Sequence, residues 1–134
     1  MRRLRLLLCD DEPLILTWLQ SVLEPEFAVV GTAEDGDSLI AAAHALRPDV
    51  IVTEIDLPCL NGIAAVQELR QPLPACRVIF HTSRREPEVM AAAFVAGAVG
   101  YLIKGDAPSL RESIRTVVKH LRDHNEELVA GWVN

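Results

Sequence analysis

Side chains capable of chemistry stand at the ends of four short apolar segments. In chain order they are Asp10-Asp11-Glu12, Glu54, Thr82-Ser83 and Lys104. Carboxylates that converge from two strands make an oxygen-lined site suited to Mg²⁺, which prefers oxygen ligands and keeps several waters. A hydroxyl and a primary amine opposite them suit a phosphoryl group, as a hydrogen-bond donor and a point charge. Together these residue types indicate phosphoryl transfer to a carboxylate, although each residue alone is also consistent with a polar strand end.

The elements that must position these groups alternate between strands and helices. Strands are predicted at Leu4–Cys9, Phe27–Thr32, Asp49–Glu54, Arg77–His81 and Gly100–Ile103. Helices are predicted at Pro13–Glu24, Asp35–Leu46, Asn61–Arg70, Glu86–Ala96 and Ala107–Leu121. Because parallel strands need crossovers, and the crossovers cover the sheet, this order predicts an α/β fold with helices on both faces of a parallel sheet. Sites in such sheets lie beyond the carboxyl ends of the strands.

Composition limits the class of protein. The 134 residues suffice for one domain, half of them are apolar, and the formal net charge is −6. An acidic chain argues against direct nucleic-acid contact, since phosphate binding needs clustered Lys and Arg. The longest uncharged run, Val89–Ile103, is shorter than the roughly 20 residues that span a membrane. The three widely spaced cysteines (Cys9, Cys59 and Cys76) suit a reducing compartment, so we expect a cytoplasmic protein without a membrane segment.

The motifs, taken in order, resemble the receiver domain of bacterial two-component response regulators over residues 3–122. They are Cys9-Asp10-Asp11-Glu12-Pro13, the run from Pro48 to Pro58 with Asn61-Gly62, the run from Val78 to Ser83, and the run from Gly97 to Lys104. The run from Gly97 to Asp106 looks most like receivers that precede helix-turn-helix DNA-binding domains. The resemblance implies a flavodoxin-like, doubly wound sheet of five parallel strands in the order 2-1-3-4-5. It also implies a receiver domain at residues 1–122 and a tail or the start of a linker at residues 123–134.

The resemblance implies a role for each site residue. The Mg²⁺ ligands would be Asp10, Asp11, Glu54 and the backbone carbonyl of Asp56. Thr82 and Lys104 would hold the phosphoryl oxygens. Thr82 and Tyr101 would form the switch pair, with Tyr101 turning inward as Thr82 moves toward the phosphoryl group. Asp56 and Arg84 occupy the two positions that tune phosphoryl lifetime in the family, and their opposite charges predict a pair across the mouth of the site.

Glu54 departs from the family pattern, because it stands where the family has its phospho-accepting aspartate. The extra methylene moves the carboxylate outward by about 1.5 Å. A misplacement of about 1 Å can slow an in-line reaction roughly a hundredfold. Three interpretations follow. The favoured one is that Glu54 mimics the phosphorylated state, and the others are that it pairs with Lys104 in an inactive-like receiver, or that it accepts phosphate slowly.

The resemblance implies a switch rather than an enzyme. Its expected partners are a sensor histidine kinase and an output partner, or a fused DNA-binding domain absent from this chain. A homodimer is expected through Glu86–Ala96, Gly100–Ile103 and Ala107–Leu121. The alternatives from another class are a flavin-binding electron carrier and a Mg²⁺-dependent phosphatase. The acidic loop Asp10-Asp11-Glu12 argues against both, because it would repel a cofactor phosphate and lacks an alternating Asp motif.

Overall fold

A computed structural model describes residues 3–105 and 110–124 of the chain. The strands are β1 (Arg5–Cys9), β2 (Ala28–Ala33), β3 (Val50–Thr53), β4 (Arg77–Thr82) and β5 (Gly100–Ile103). The helices are α1 (Pro13–Leu23), α2 (Gly36–Leu46), α3 (Gly62–Arg70), α4 (Pro87–Ala96) and α5 (Leu110–His124). All strand pairs are parallel and the sheet order is β2-β1-β3-β4-β5, which confirms the predicted fold.

The sheet is buried on both faces, because successive strand residues point to opposite sides. One apolar cluster joins alternate strand residues such as Leu7, Ile51 and Phe80 to α2, α3 and α4. The other joins their neighbours, such as Leu8 and Val52, to α1 and α5. The strands therefore read as continuous apolar runs in the sequence rather than as alternating ones.

Several predicted boundaries were wrong by one or two residues. Asp35 and Asn61 are N-caps rather than the first helical residues, since their side chains accept hydrogen bonds from Ser38 N and Ala64 N. Pro87 similarly begins α4, with Glu86 as its N-cap. These three capping residues are polar and lie next to Gly or Pro, so hydrophobic period alone cannot separate a cap from a first turn.

The observed ends of several strands also differ from the predicted ends by one residue. Phe27 belongs to the turn after α1, because its N–H donates to Leu23 O, and β2 begins at the next residue. β4 extends to Thr82, which pairs with Ile103. Helix α5 continues past the predicted end to His124, with no Gly or Pro to stop it. The predicted start of α5 at Ala107 and the segment 125–134 lie outside the described residues.

The β3–α3 connection is held tightly under the end of β3. Gly62 N donates to Ile55 O at 2.8 Å, and a Cβ on Gly62 would lie 2.3 Å from Glu54 O. Only glycine permits this approach, so the start of α3 fixes the backbone at Glu54. Within the described ranges, no helix has both the length and the apolar character to cross a membrane.

Candidate functional site

Lys104 lies between two buried carboxylates at the carboxyl edge of the sheet. Its Nζ is 2.8 Å from Asp10 Oδ2 and 2.9 Å from Glu54 Oε1. Asp10 is fully buried and Glu54 is 6% exposed. Burial opposes the charged amine, but the hydrogen bonds and charges of the two carboxylates outweigh burial and raise the pKa of Lys104. One ammonium group therefore serves two carboxylates.

The second carboxylate oxygen of Glu54 turns back onto its own loop. Oε2 accepts hydrogen bonds from Ile55 N at 2.6 Å and from Asp56 N at 3.2 Å. Two backbone N–H groups and one ammonium group thus hold the longer side chain of Glu54 inside the site. Within the part of the chain that the structure describes, no hydrogen bond joins Glu54 to Thr82.

The acidic residues after β1 form an oxygen cluster. One carboxylate oxygen from each of Asp10, Asp11 and Glu12 lies within 4.8 Å of the others. Asp10 Oδ1 accepts a hydrogen bond from Glu12 N at 3.0 Å, whereas the buried Oδ2 receives no well-aligned hydrogen bond from the described residues. We regard its 2.8 Å contact with Lys104 as a charge interaction. A buried oxygen with spare acceptor capacity, beside two exposed carboxylates, fits a hard divalent cation.

The predicted metal ligands are only partly brought together. Asp10 and Asp11 lie in the oxygen cluster with Glu12, which was not among the predicted ligands, and Glu54 stands apart from it against Lys104. The backbone carbonyl of Asp56 accepts no hydrogen bond from the described residues.

Thr82 and Tyr101 each bond to the backbone of Arg84, in the loop after β4. Thr82 is fully buried, and its Oγ1 accepts a hydrogen bond from Arg84 N at 3.3 Å. Tyr101 is also fully buried, packs against Phe80 and Phe94, and donates from its hydroxyl to Arg84 O at 2.9 Å. Burial, with the nearby charge of Glu54, raises the pKa of Tyr101 to about 12. The aromatic side chain is therefore in the inward orientation.

Asp56 and Arg84 pair across the mouth of the site, as their charges predicted. Arg84 Nε and Nη2 each lie 2.9 Å from one oxygen of Asp56, which is a bidentate arrangement. Arg84 Nη1 also donates to Glu86 Oε2 at 2.8 Å. The hydrogen bond with Arg84 lowers the pKa of Asp56, and the bonds to both carboxylates raise the pKa of Arg84. Sequence reasoning missed Glu86, because a loop contact two residues away has no periodic signal.

His81, near the end of β4, packs against α1. Its ring stacks on Trp18 of α1, with centroids 6.3 Å apart and planes 20° apart. Burial, with the nearby charge of Lys104, lowers the pKa of His81 to about 4, and its Nδ1 has no hydrogen-bond partner among the described residues. The two residues are 63 positions apart in the sequence. The half-exposed Trp18 of α1 was the only feature of the sequence that indicated this contact. Cys59, on the exposed loop after β3, has a left-handed backbone with φ of 70°.

Comparison with known families gives one match that covers most of the chain. The profile of the response regulator receiver domain matches residues 6–119. A transcriptional regulatory protein of Bacillus subtilis, YxjL, is 32% identical over 120 residues, which are 87% of this chain and 55% of that protein. A protein-glutamate methylesterase/protein-glutamine glutaminase of Methanospirillum hungatei is 33% identical over 130 residues, 92% of this chain and 37% of that protein.

A solved structure shares the fold. The signal receiver domain of the NarL response regulator from Mycobacterium tuberculosis superposes with a TM-score of 0.83 at 24% identity, covering 89% of this chain and 98% of that one. The chain spans about half the length of the curated transcriptional regulators it matches.

Proposed function

The chain belongs to the response regulator receiver domain family, and we propose that it is a switch domain in which Glu54 takes the part of a phosphorylated aspartate. The Glu54 carboxylate supplies buried negative charge beside Lys104, the cation that would otherwise hold a phosphoryl oxygen. The switch would then be biased toward its on state without phosphorylation.

The orientation of Tyr101 is the observation that carries this proposal. The side chain is fully buried and its hydroxyl donates to Arg84 O, which is the inward orientation that the resemblance associates with the phosphorylated state. Lys104, Thr82 and Tyr101 are all present, and the site contains no aspartate at the end of β3. We therefore infer that Glu54 substitutes for a phosphorylated aspartate and favours the inward orientation of Tyr101.

A second candidate is an inactive-like receiver, and one pair of contacts favours it. Glu54 Oε1 contacts Lys104, while Thr82 Oγ1 accepts its hydrogen bond from Arg84 N rather than donating to Glu54. In this alternative the lysine neutralises Glu54 and the switch stays off. Slow phosphorylation is a third outcome, in which Lys104 and the loop N–H groups would first have to release the carboxylate.

We include a divalent cation in the proposal, held by Asp10 and Asp11 with Glu12 nearby. The spare acceptor capacity of the buried Asp10 Oδ2 supports this assignment. Mg²⁺ bound there would neutralise charge on phosphoryl oxygens. The chain's own residues do the rest: Lys104 supplies a fixed positive charge, Thr82 supplies a hydroxyl, and the β3–α3 loop orients Glu54.

The proposed partners follow from family membership. They are a sensor histidine kinase and an output partner or domain, and the match at residues 6–119 supports a receiver at 1–122, with 123–134 as a tail or linker. The face of α4, β5 and α5 is the proposed dimer surface, where Val95 is 74% exposed. The family favours this non-enzymatic switch over the flavin carrier or phosphatase, although one relative is named as a methylesterase.

The test compares the native chain with Glu54→Asp, before and after treatment with beryllofluoride and Mg²⁺. The expected result is that untreated native protein already has the oligomeric state that Glu54→Asp acquires only on treatment, measured by light scattering. Glu54→Gln, which keeps the size of the side chain but loses its charge, is the matched control and should behave like untreated Glu54→Asp. Native protein that matches untreated Glu54→Asp would support the inactive-like alternative instead.

A further inference from the structure

Arg84 connects the mouth of the site to the switch aromatic. Its backbone contacts Thr82 and Tyr101, and its side chain contacts Asp56 and Glu86. We propose that Arg84 is a positioning residue: its ion pair with Asp56 holds the β4–α4 loop so that the Arg84 carbonyl keeps Tyr101 inward. We call the Asp56–Arg84–Glu86 group the latch.

The backbone of Arg84 bonds to both residues of the switch pair, Thr82 and Tyr101. Arg84 N donates to Thr82 Oγ1 at 3.3 Å, and Arg84 O accepts from the Tyr101 hydroxyl at 2.9 Å. The phenol is buried, so losing its acceptor would leave an unsatisfied hydroxyl at a free-energy cost. Inward Tyr101 therefore requires the Arg84 peptide group to stay in its present position.

The side chain of Arg84 holds its backbone in place through contacts with Asp56 and Glu86. Residues 83–86 connect β4 to α4; the first three are exposed, Glu86 is half-buried, and none of the four has an apolar side chain. The guanidinium group makes two 2.9 Å contacts with Asp56, which lies on the β3–α3 loop, and one 2.8 Å contact with Glu86. A bidentate contact restrains both distance and direction, so it anchors the loop more firmly than a single bond would.

No side chain of the latch bonds to Glu54; the described hydrogen bond between them comes from the backbone N–H of Asp56, 3.2 Å from Glu54 Oε2. Its three side chains are roughly half exposed, with 43% for Arg84, 52% for Asp56 and 44% for Glu86. Glu54 is buried and bonds to Lys104 and to backbone N–H groups, and it makes no described hydrogen bond to Arg84. Because exposed charges are screened by salt, the latch also makes the inward population of Tyr101 sensitive to ionic strength.

This inference rests on the proposed function, because the latch matters to signalling only if Tyr101 reports the state of the switch. Tyr101 is the single tyrosine of the chain, so 3-fluorotyrosine gives one ¹⁹F resonance that reads its orientation directly. The variants are Arg84→Gln, Asp56→Asn, the double variant and Glu54→Gln. The matched control is Glu88→Gln, which removes an exposed charge from α4 outside the latch.

We expect Arg84→Gln to lower the inward-to-outward ratio of Tyr101 roughly five- to tenfold, since three charge-assisted bonds, two to Asp56 and one to Glu86, are lost at a partly exposed site. Asp56→Asn should lower the ratio by a smaller factor in the same direction. The double variant should lower the ratio no further than Arg84→Gln does, because both substitutions remove the same ion pair. In the native chain, 1 M NaCl should shift the resonance in the same direction, and Glu88→Gln should leave it unchanged.

The outcomes separate the latch from the mimic. If Arg84→Gln and Asp56→Asn leave the resonance where it is, the latch is wrong, whatever Glu54→Gln does. If those two variants shift the resonance and Glu54→Gln does not, the latch stands and the mimic fails. Additive effects of Arg84→Gln and Asp56→Asn would also overturn the latch, because independent changes do not share a contact.

Discussion

At the carboxyl edge of the sheet, buried charged side chains face one another, whereas at the amino edge two arginines, Arg3 and Arg5, donate to backbone carbonyls. Asp10 and Glu54 share Lys104 at the carboxyl edge. At the amino edge, Arg3 donates to the carbonyls of Glu24, Glu26 and Phe27, where α1 leads into β2.

The same edge contains a second arginine of this kind. Arg5 Nη1 donates to Arg47 O at 2.8 Å, at the left-handed residue that ends α2. Such contacts satisfy carbonyls that a helix leaves unpaired at its end, and they need no charged partner. Arg115 also pairs with Glu26 at this edge at 2.8 Å, but these side chains are 54% and 33% exposed. At the carboxyl edge, by contrast, a change in one charge leaves another buried and unpaired. A change of charge should therefore have its larger effect at the carboxyl edge.

Removal of the Lys104 side-chain charge should give the largest loss of stability. Lys104→Met leaves two buried carboxylates without their cation and should lower the free energy of unfolding by about 3–5 kcal/mol at pH 7, measured by urea denaturation. Millimolar Mg²⁺ should recover part of the loss by supplying positive charge to Asp10. Lys119→Met on the exposed face of α5 is the control and should change stability by less than about 0.5 kcal/mol. Equal unfolding midpoints for the two variants would contradict the contrast between edges.

Gly62→Ala should give the second-largest loss of stability. The new Cβ would lie 2.3 Å from Glu54 O, so the backbone of the β3–α3 loop must move, at a cost of about 1–3 kcal/mol. Gly31→Ala is the control, since its Cβ would meet only the flexible end of Leu46 at 2.6 Å. A larger loss for Gly31→Ala than for Gly62→Ala would show that the loop adapts more easily than its contacts indicate.

Acid should weaken the carboxyl edge through His81. The pKa of His81 is about 4 when folded, against an ordinary value of 6.5, so the unfolded chain binds more protons between these pH values. Stability is therefore lost as pH falls below 6.5, by about 2 kcal/mol at pH 5. His81→Gln should remove this part of the pH dependence, while His44→Gln on the exposed side of α2 should retain it. A native urea midpoint that does not change between pH 7 and pH 5 would rule out a buried neutral His81.

Changing the amino edge should have the smallest effect. Arg5→Met removes the bond to Arg47 O and should lower the free energy of unfolding by about 1 kcal/mol, with no recovery on addition of Mg²⁺. Urea denaturation with and without MgCl₂ measures both quantities. A loss as large as that of Lys104→Met would mean that the two edges depend on charge alike.

The fold was largely predictable, because strands buried on both faces appear as apolar runs and each is followed by a helix. The errors were at boundaries: Asp35 and Asn61 cap helices that they were predicted to begin, because a capping side chain and a first-turn side chain are both polar. The site was predictable to the level of strand ends. The contact between Asp56 and Arg84 was predicted, but the membership of the acidic cluster was not: Glu12 lies in it and Glu54 does not.

The amino-acid sequence by itself determined the family, the strand order and the presence of a glutamate at the end of β3, because residue type and spacing are properties of the chain. Only the tertiary structure decided that Glu54 bonds to Lys104 and to its own loop, that Tyr101 is inward, and that Arg84 joins Tyr101 to Asp56. These contacts link residues from different strand ends. Their geometry depends on side-chain length and direction after packing, and sequence spacing does not contain that information.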